Sequence, residues 1–442
     1  MKTVFFKASA IVLFALSLDA GAVLQPANIL AASITSLPVA GKAPELCVIP
    51  AHFTEGKYSK KDVARESELC AYSIDQNVAA CGKTNSTNPG VNFESSDTAS
   101  IGEMTRANCE IEDAKKLAKY KNSTSCSYTP SLLSYYHVSR MLGNIANVPV
   151  AVLRTMDLDR HKEIATRTMG TIKDHDSLIY KTWTGLKGIL DKGSSSSKAD
   201  LIFVEGFQQT YGALQRNPRG EEFYTEFFNR GTDRAVAFRD NNPIYKNLIK
   251  KTLDVDRQLN AENVQKFVQL KDAGEMILLD YILNQQDRFG NAHYKDHYYY
   301  STTSKKDGSF KLKNESDLAD VPEELRAGAL TIKQLMLKDN DCGVTKDNKA
   351  KKAGLLDPIA HMDPSTYKRL LELNATLEDA DIKDLFVRGM QFTEDDFKSV
   401  AANIHEATQK LQASCKSGKL ALDLDIDLYF SSEPLPTAYT CD

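Results

Sequence analysis

The chain lacks most of the short signatures that announce a chemistry. None of its eight cysteines stands in a Cys-x-x-Cys pair, which argues against a zinc ribbon. There is no Gly-x-Ser-x-Gly elbow of the kind that presents a hydrolase serine, and no glycine-rich phosphate loop. Basic side chains are dispersed rather than striped. With 55 Lys and Arg against 59 Asp and Glu, for a net charge of −4, the charge pattern gives no support to nucleic-acid binding. Internal repeats are absent. Beyond the N-terminus no apolar run is long enough to span a bilayer.

What is present begins with a leader-like segment. Lys2 and Lys7 precede an apolar run over residues 8–18, and Ala20-Gly21-Ala22 offers a small-residue cleavage site. Residues 1–22 are therefore expected to be a signal peptide, and the protein to be secreted, or held in the secretory pathway or periplasm. An even cysteine count in an exported chain reads as disulfides, which disfavours a cysteine nucleophile. Five cysteines (Cys47, Cys70, Cys81, Cys109 and Cys126) precede residue 130, and three (Cys342, Cys415 and Cys441) follow it. Both counts are odd, so if all eight pair, at least one bridge joins the two regions. Cys415 with Cys441 is the simplest C-terminal pair. Sequons at Asn85, Asn122, Asn314 and Asn374 are glycan acceptors if the host is eukaryotic.

With 442 residues, 42% of them hydrophobic, the chain can fill one large two-lobed domain or two ordinary ones. Residues 23–45 are expected to be a flexible lead-in. Residues 46–128 are turn-rich and suit short strands. The apolar spacing predicts a helix over 132–142, with Pro130 before it and Gly143 after it. Strands are expected at 148–153 and 201–204, a helix at 271–284, and a tyrosine-rich strand at 293–302. A surface insertion and a short strand at 335–337 follow, then helices over 363–415 and an edge strand within 420–430. The order predicts an α+β chain of two lobes, residues 46–200 mostly β and residues 201–442 mostly helical.

The chemistry-bearing stretch is Asn284-Gln-Gln-Asp-Arg-Phe-Gly-Asn291. It places Asp287, Arg288 and Asn291 in a polar loop after a helix. Downstream, an apolar strand runs into Asp339-Asn340-Asp341-Cys342-Gly343. Phosphoryl transfer needs one carboxylate to orient the attacking hydroxyl, and a second, with an Asn or Glu, to hold the metal on the phosphates. Taken alone, an Asp-Arg pair at a helix end is as readily a cap or an ion pair, and a lone Asp339 or Asp341 is more often a turn residue. His293 and His297 share a strand face without a third ligand, and read as packing.

The Asn-x-Asp-Arg loop followed by an Asp-Asn motif resembles the atypical kinases, among them the secretory-pathway Golgi casein kinases, the spore-coat CotH kinases and the phosphoinositide kinases. The Leu142-Gly143 helix end leading into Val148-Pro149 is similar to the Golgi casein kinases as well. The resemblance spans residues 130–375. It implies a two-lobed kinase-like fold that uses ATP with Mg²⁺ or Mn²⁺. In that family's terms Asp287 is the catalytic aspartate, Arg288 braces the loop, Asp339 binds metal and Asn291 is the second ligand. Asp341, in an Asp-x-Gly setting, is a further metal candidate. Lys83 is the candidate phosphate-binding lysine, with Arg154 and Glu163 as the alternative pair. Leu132 falls where the family has a glutamate. Glu205 falls where a hinge would hold adenine.

The implied function is a secreted kinase that phosphorylates a hydroxyl of a protein or glycan, without nucleic acid and without a membrane span. A pseudokinase that binds nucleotide or activates a partner, and a kinase-fold AMP transferase, are the alternatives.

Overall fold

The computed structural model describes residues 23–431, 433–435 and 440–442; the leader segment lies outside them. The first lobe is built on a seven-stranded antiparallel sheet of β1 (Ala31–Leu37), β2 (Glu45–Pro50), β3 (Ala79–Gly82), β4 (Val91–Ser95), β5 (Lys115–Lys121), β6 (Ala151–Asp157) and β7 (Gln209–Arg216). Across the sheet the order is β1-β2-β6-β7-β5-β4-β3. The second lobe holds a small antiparallel sheet of β8 (Glu222–Phe223), β9 (His293–Thr303), β10 (Phe310–Glu315) and β11 (Leu330–Met336), in which β9 pairs with the other three. The rest of that lobe is mostly helical. This is the expected α+β architecture of two lobes.

The helix Thr129–Met141 lies at the centre. Pro130 sits in its first turn, where its missing N–H costs nothing. Every residue of this helix is buried, as expected of a helix with apolar or hydrogen-bonded side chains on all sides. It packs on β6 and β7 and against the helix Ala261–Ile282. That second helix is capped by the Asn260 side chain, which accepts from the Asn263 amide. One apolar core runs through both lobes, from Leu24 to Phe430.

Four expectations need correction. Residues 23–45 are not a bare lead-in, because Ala31–Leu37 is edge strand β1 on β2. Its side chains are mostly exposed, so the sequence carries no burial pattern, and backbone pairing holds it. The apolar run 201–204 is not a strand. It is the end of the short helix Ala199–Ile202 followed by isolated bridges, since four apolar residues do not separate helix from strand. The last strand of the first sheet is β7, so the connection between lobes begins after Arg216 rather than near 200. In the tail, the expected edge strand is replaced by one bridge, His361 with Ala421, and a helical turn, Ile426–Tyr429.

All eight cysteines pair: Cys47–Cys70, Cys81–Cys109, Cys126–Cys342 and Cys415–Cys441. The parity argument and the C-terminal pairing both agree with this, and full pairing fits an oxidising compartment. Among the described residues no helix is long and apolar enough to cross a membrane. Asn122 is a poor glycan acceptor in the folded chain, because it is buried and its Nδ2 donates to the Tyr211 carbonyl (2.6 Å) and the Tyr120 hydroxyl (3.0 Å).

Candidate active site

The loop after the helix Ala261–Ile282 turns at Asn284, which takes a left-handed conformation (φ 51°) that Asn tolerates. Asn284 is fixed there by donating to the Val344 carbonyl at 2.8 Å. Arg288 then points inward and is 1% exposed. Its Nε lies 3.0 Å from Asp280, its Nη1 donates to the Lys338 carbonyl at 2.8 Å, and its Nη2 donates to Asn340 Oδ1. The Tyr135 hydroxyl donates to Asp280 at 2.7 Å. Burial pushes the Asp280 carboxyl up, and Arg288 opposes the rise. Arg288 is thus not a simple helix cap: it ties the central helix, its own loop and the 338–340 loop into one unit.

Asp287 faces outward beside this unit. Its carboxylate is about half exposed and accepts from Asn291 Nδ2 at 3.1 Å; the same Nδ2 donates to the Asp287 carbonyl at 2.9 Å. Burial and the charge of Asp341 push the Asp287 carboxyl up, while Arg234 at 3.9 Å works against them. Asp287 opens on a depression of about 300 Å³ that Thr232, Arg234, Gln286, Phe289 and Lys349 also line.

The second loop runs alongside the first. The Gln286 amide donates to the Cys342 carbonyl at 3.1 Å, and the Tyr128 amide to the Asp341 carbonyl at 2.8 Å. Gly343 permits this approach: a Cβ there would lie 2.6 Å from Ser131 Oγ and 2.8 Å from the Leu283 carbonyl. Asp339 takes a left-handed backbone (φ 56°), a cost of about 1–3 kcal/mol of the kind found at functional loops.

Both acidic side chains meet lysines of β5. Lys119 Nζ lies 2.6 Å from Asp339 Oδ1, and Lys121 is ion-paired with Asp341, which also accepts from Ser127 Oγ. The match is one of period. Lys119 and Lys121 project from one face of a strand, and Asp339 and Asp341 are likewise two residues apart. Ala118 and Tyr120 alternate to the other face, into the core. Burial would raise the Asp339 carboxyl, but Lys119 and Lys121 overcome it and hold the group well below the usual carboxylate range. Asp341 is lowered in the same way, chiefly by Lys121 against its burial.

Lys83 stands near this group and has no ion-pair partner among the described residues. Burial, then the Lys119 and Lys121 charges, push its ammonium down to about 7, with Asp339 opposing. The hairpin loop 83–90 between β3 and β4 reaches over the site, where Asn88 Nδ2 lies 3.7 Å from the Cys342 sulfur.

The structure therefore brings Asp287, Arg288, Asn291, Asp339 and Asp341 together, with Lys83 beside them. Glu205 is not among them. It is exposed in the turn before β7, and its amide donates to the Leu24 carbonyl, because the segment read as a strand end is a helix end. The alternative pair also fails. Buried Arg154 is ion-paired with Glu45 at 2.7 Å, while Glu163 meets Arg167 on the surface. Leu132 is core, and no glutamate of the Thr129–Met141 helix replaces it, since that helix contains none. Sequence reasoning missed Lys119 and Lys121. The available signal was the Lys-x-Lys period of a strand, matched by the Asp-x-Asp period 220 residues later.

Metal fit can be judged from the donors. Asp339 Oδ2, Asp341 Oδ1 and Asn291 Oδ1 accept no hydrogen bond from the described residues. These are hard oxygen donors, suited to Mg²⁺ or Mn²⁺. Among the described residues no cluster of three or more Asp, Glu, His or Cys could hold a metal. Three such oxygens are too few for a protein-only cage, and Lys119 and Lys121 already sit on the two carboxylates, so a cation there would take its remaining oxygens from water and phosphate, as Mg²⁺ does.

No protein-family model matches the chain, and no curated protein is significantly similar to it. Among solved structures, a Golgi casein kinase crystallised with Mn and ADP is similar over 79% of this chain and 75% of its own, with 10% identity and a TM-score of 0.42. A likeness of that size assigns no residue here a role.

Proposed function

We propose that this protein is a secreted, ATP-dependent phosphotransferase acting on a hydroxyl of a protein or glycan. The observation that supports it most is the packing of the Asp287 loop, the 339–343 loop and the β5 lysines against one another, from segments far apart in sequence. Asp287, half exposed and oriented by Asn291, would accept the acceptor's hydroxyl proton as its oxygen bonds to the γ-phosphorus. The bond from that phosphorus to the bridging oxygen would break, and ADP would leave. Lys83, Lys119 and Lys121 would bind phosphate oxygens. Asp339, Asp341 and Asn291 would hold a divalent cation, whose contribution is to neutralise phosphate charge.

One observation favours a second reading, a nucleotide-binding pseudokinase: both acidic side chains are already neutralised by lysines. ATP labelled at the α- or γ-phosphate, with Mg²⁺ or Mn²⁺ and mixed protein acceptors, separates these readings. The phosphotransferase reading expects γ-label transfer that falls by at least about 10²-fold in Asp287→Ala, with Tm nearly unchanged. Transfer of α-label would instead indicate an AMP transferase. Nucleotide-dependent stabilisation without transfer would leave the pseudokinase.

A further inference from the structure

A second cavity, of about 200 Å³, lies away from this site. The helix Lys60–Ala71, the end of the Thr129–Met141 helix, the end of β7 and the strands β9 and β10 enclose it. Five cationic side chains line it: Lys61, Arg65, Arg140, Arg216 and Lys295. Two are already balanced. Arg140 is ion-paired with Asp62 at 2.8 Å, and Lys61 with Glu315 at 3.0 Å. Asp62 and Glu315 are the carboxylates on the cavity wall, so its negative charge is used up. Three cations remain. The side chains of Arg65 and Lys295 form no hydrogen bond or ion pair among the described residues. The nearest carboxylate to Arg216 is Glu68, at 3.9 Å. All three are partly buried.

Like charges brought together away from water repel one another and lose hydration. Each of two members registers the others. Burial and then Arg216 lower the Arg65 guanidinium. Burial, with Arg216 and Arg65 against Asp317, lowers the Lys295 ammonium. Asp62, Glu68 and Asp317 offset this excess only in part, and the cavity has room for a small ligand. Two guanidinium forks and one ammonium suit a tetrahedral oxyanion, which accepts bidentate bonds from Arg and a point contact from Lys.

We propose that this cavity binds a small divalent oxyanion, phosphate or sulfate, either free or as the end of a monoester. The site shares no residue with the Asp287 cleft and does not depend on the phosphotransfer reading. The test is calorimetric titration of residues 23–442 with sodium phosphate, sodium sulfate or phosphoserine, in chloride of matched ionic strength. The Arg65→Gln, Lys295→Gln and Lys83→Gln variants are titrated in parallel. Arg65 and Lys295 have no partners to lose, so either variant serves if the other misfolds. The expected result is saturable binding that weakens about tenfold or more in Arg65→Gln or Lys295→Gln and persists in Lys83→Gln. Phosphoserine binding would show that a monoester is accepted; binding of the inorganic ions only would restrict the site to free anions. Absence of binding in the wild type, unchanged affinity in both cavity variants, or loss in Lys83→Gln alone would overturn the proposal.

Discussion

Lys83 directly follows β3 with its ammonium partly buried, under the charges of three other ammonium groups, Lys119, Lys121 and Lys116, and of one carboxylate, Asp339. Its pKa of about 7 sits well below that of an unfolded lysine, about 10.4, and the sign of the consequence follows. Between those values the unfolded chain binds more protons than the folded one, so this group makes stability rise with pH. Below about 7 both states are protonated and its full destabilising effect is present. Lys83 should therefore be labelled by an amine acylating reagent with a midpoint near pH 7, read by mass spectrometry against the surface lysines. Asp339→Asn should move that midpoint lower still, because the Asp339 charge raises it. A midpoint near 10 would remove Lys83 from the charge cluster. The same scale shows what the sequence displayed and what it hid. Asp287, Arg288, Asp339 and Asp341 stand in short motifs, so their chemistry is readable locally. Lys119 and Lys121 are two lysines among many until a fold pairs them with Asp339 and Asp341.

At the scale of elements, long segments were readable and short ones were not. The helix Thr129–Met141, the second half of the helix Ala261–Ile282 and the strand β9 have enough periods to show; the first ten residues of the second helix were not read as part of it. β7 was missed because Gly212 and its glutamines interrupt an apolar strand pattern. The structure supplies the reason for that glycine: a Cβ on Gly212 would lie 2.4 Å from the Lys121 carbonyl oxygen, which is backbone and cannot swing aside. Gly212→Ala should push β5 from β7 and cost about 1–3 kcal/mol, measured by urea unfolding. Gly274→Ala is the control. It lies within the helix Ala261–Ile282, and a Cβ there meets nothing within 4 Å. That variant should be neutral, or more stable by about 0.5–1 kcal/mol. Equal midpoints for wild type and Gly212→Ala would show that the β5–β7 approach is not tight.

At the scale of the whole molecule, one covalent link joins the lobes. Cys47–Cys70, Cys81–Cys109 and Cys415–Cys441 close spans of 23, 28 and 26 residues, whereas Cys126–Cys342 closes 216. It does so beside the cleft. Cys126 lies five residues after Lys121, and Cys342 directly follows Asp341, so the bridge holds the lysine strand against the acidic loop. Parity of the cysteine counts required such a bridge if all eight pair, but only the fold identifies which pair and why it sits there. In the chain-entropy account a cross-link stabilises more as its loop lengthens: about 5 kcal/mol for this bridge against roughly 3–4 for the short ones. Cys126→Ser/Cys342→Ser should therefore lose more stability in guanidinium unfolding than Cys415→Ser/Cys441→Ser. Two components of that loss are separable. The entropic component acts on the unfolded chain and leaves the native cleft intact, whereas a positioning role also loosens the β5 lysines from the 339–343 loop. Lys83 reports on the second component, because it stays in one sheet with Lys119 and Lys121 while Asp339, whose charge raises its pKa, departs with the loop. If the bridge positions the cleft, the Lys83 labelling midpoint in the Cys126/Cys342 variant should move lower under native conditions, as in Asp339→Asn. A large stability loss with an unmoved midpoint would assign the bridge to the unfolded state alone.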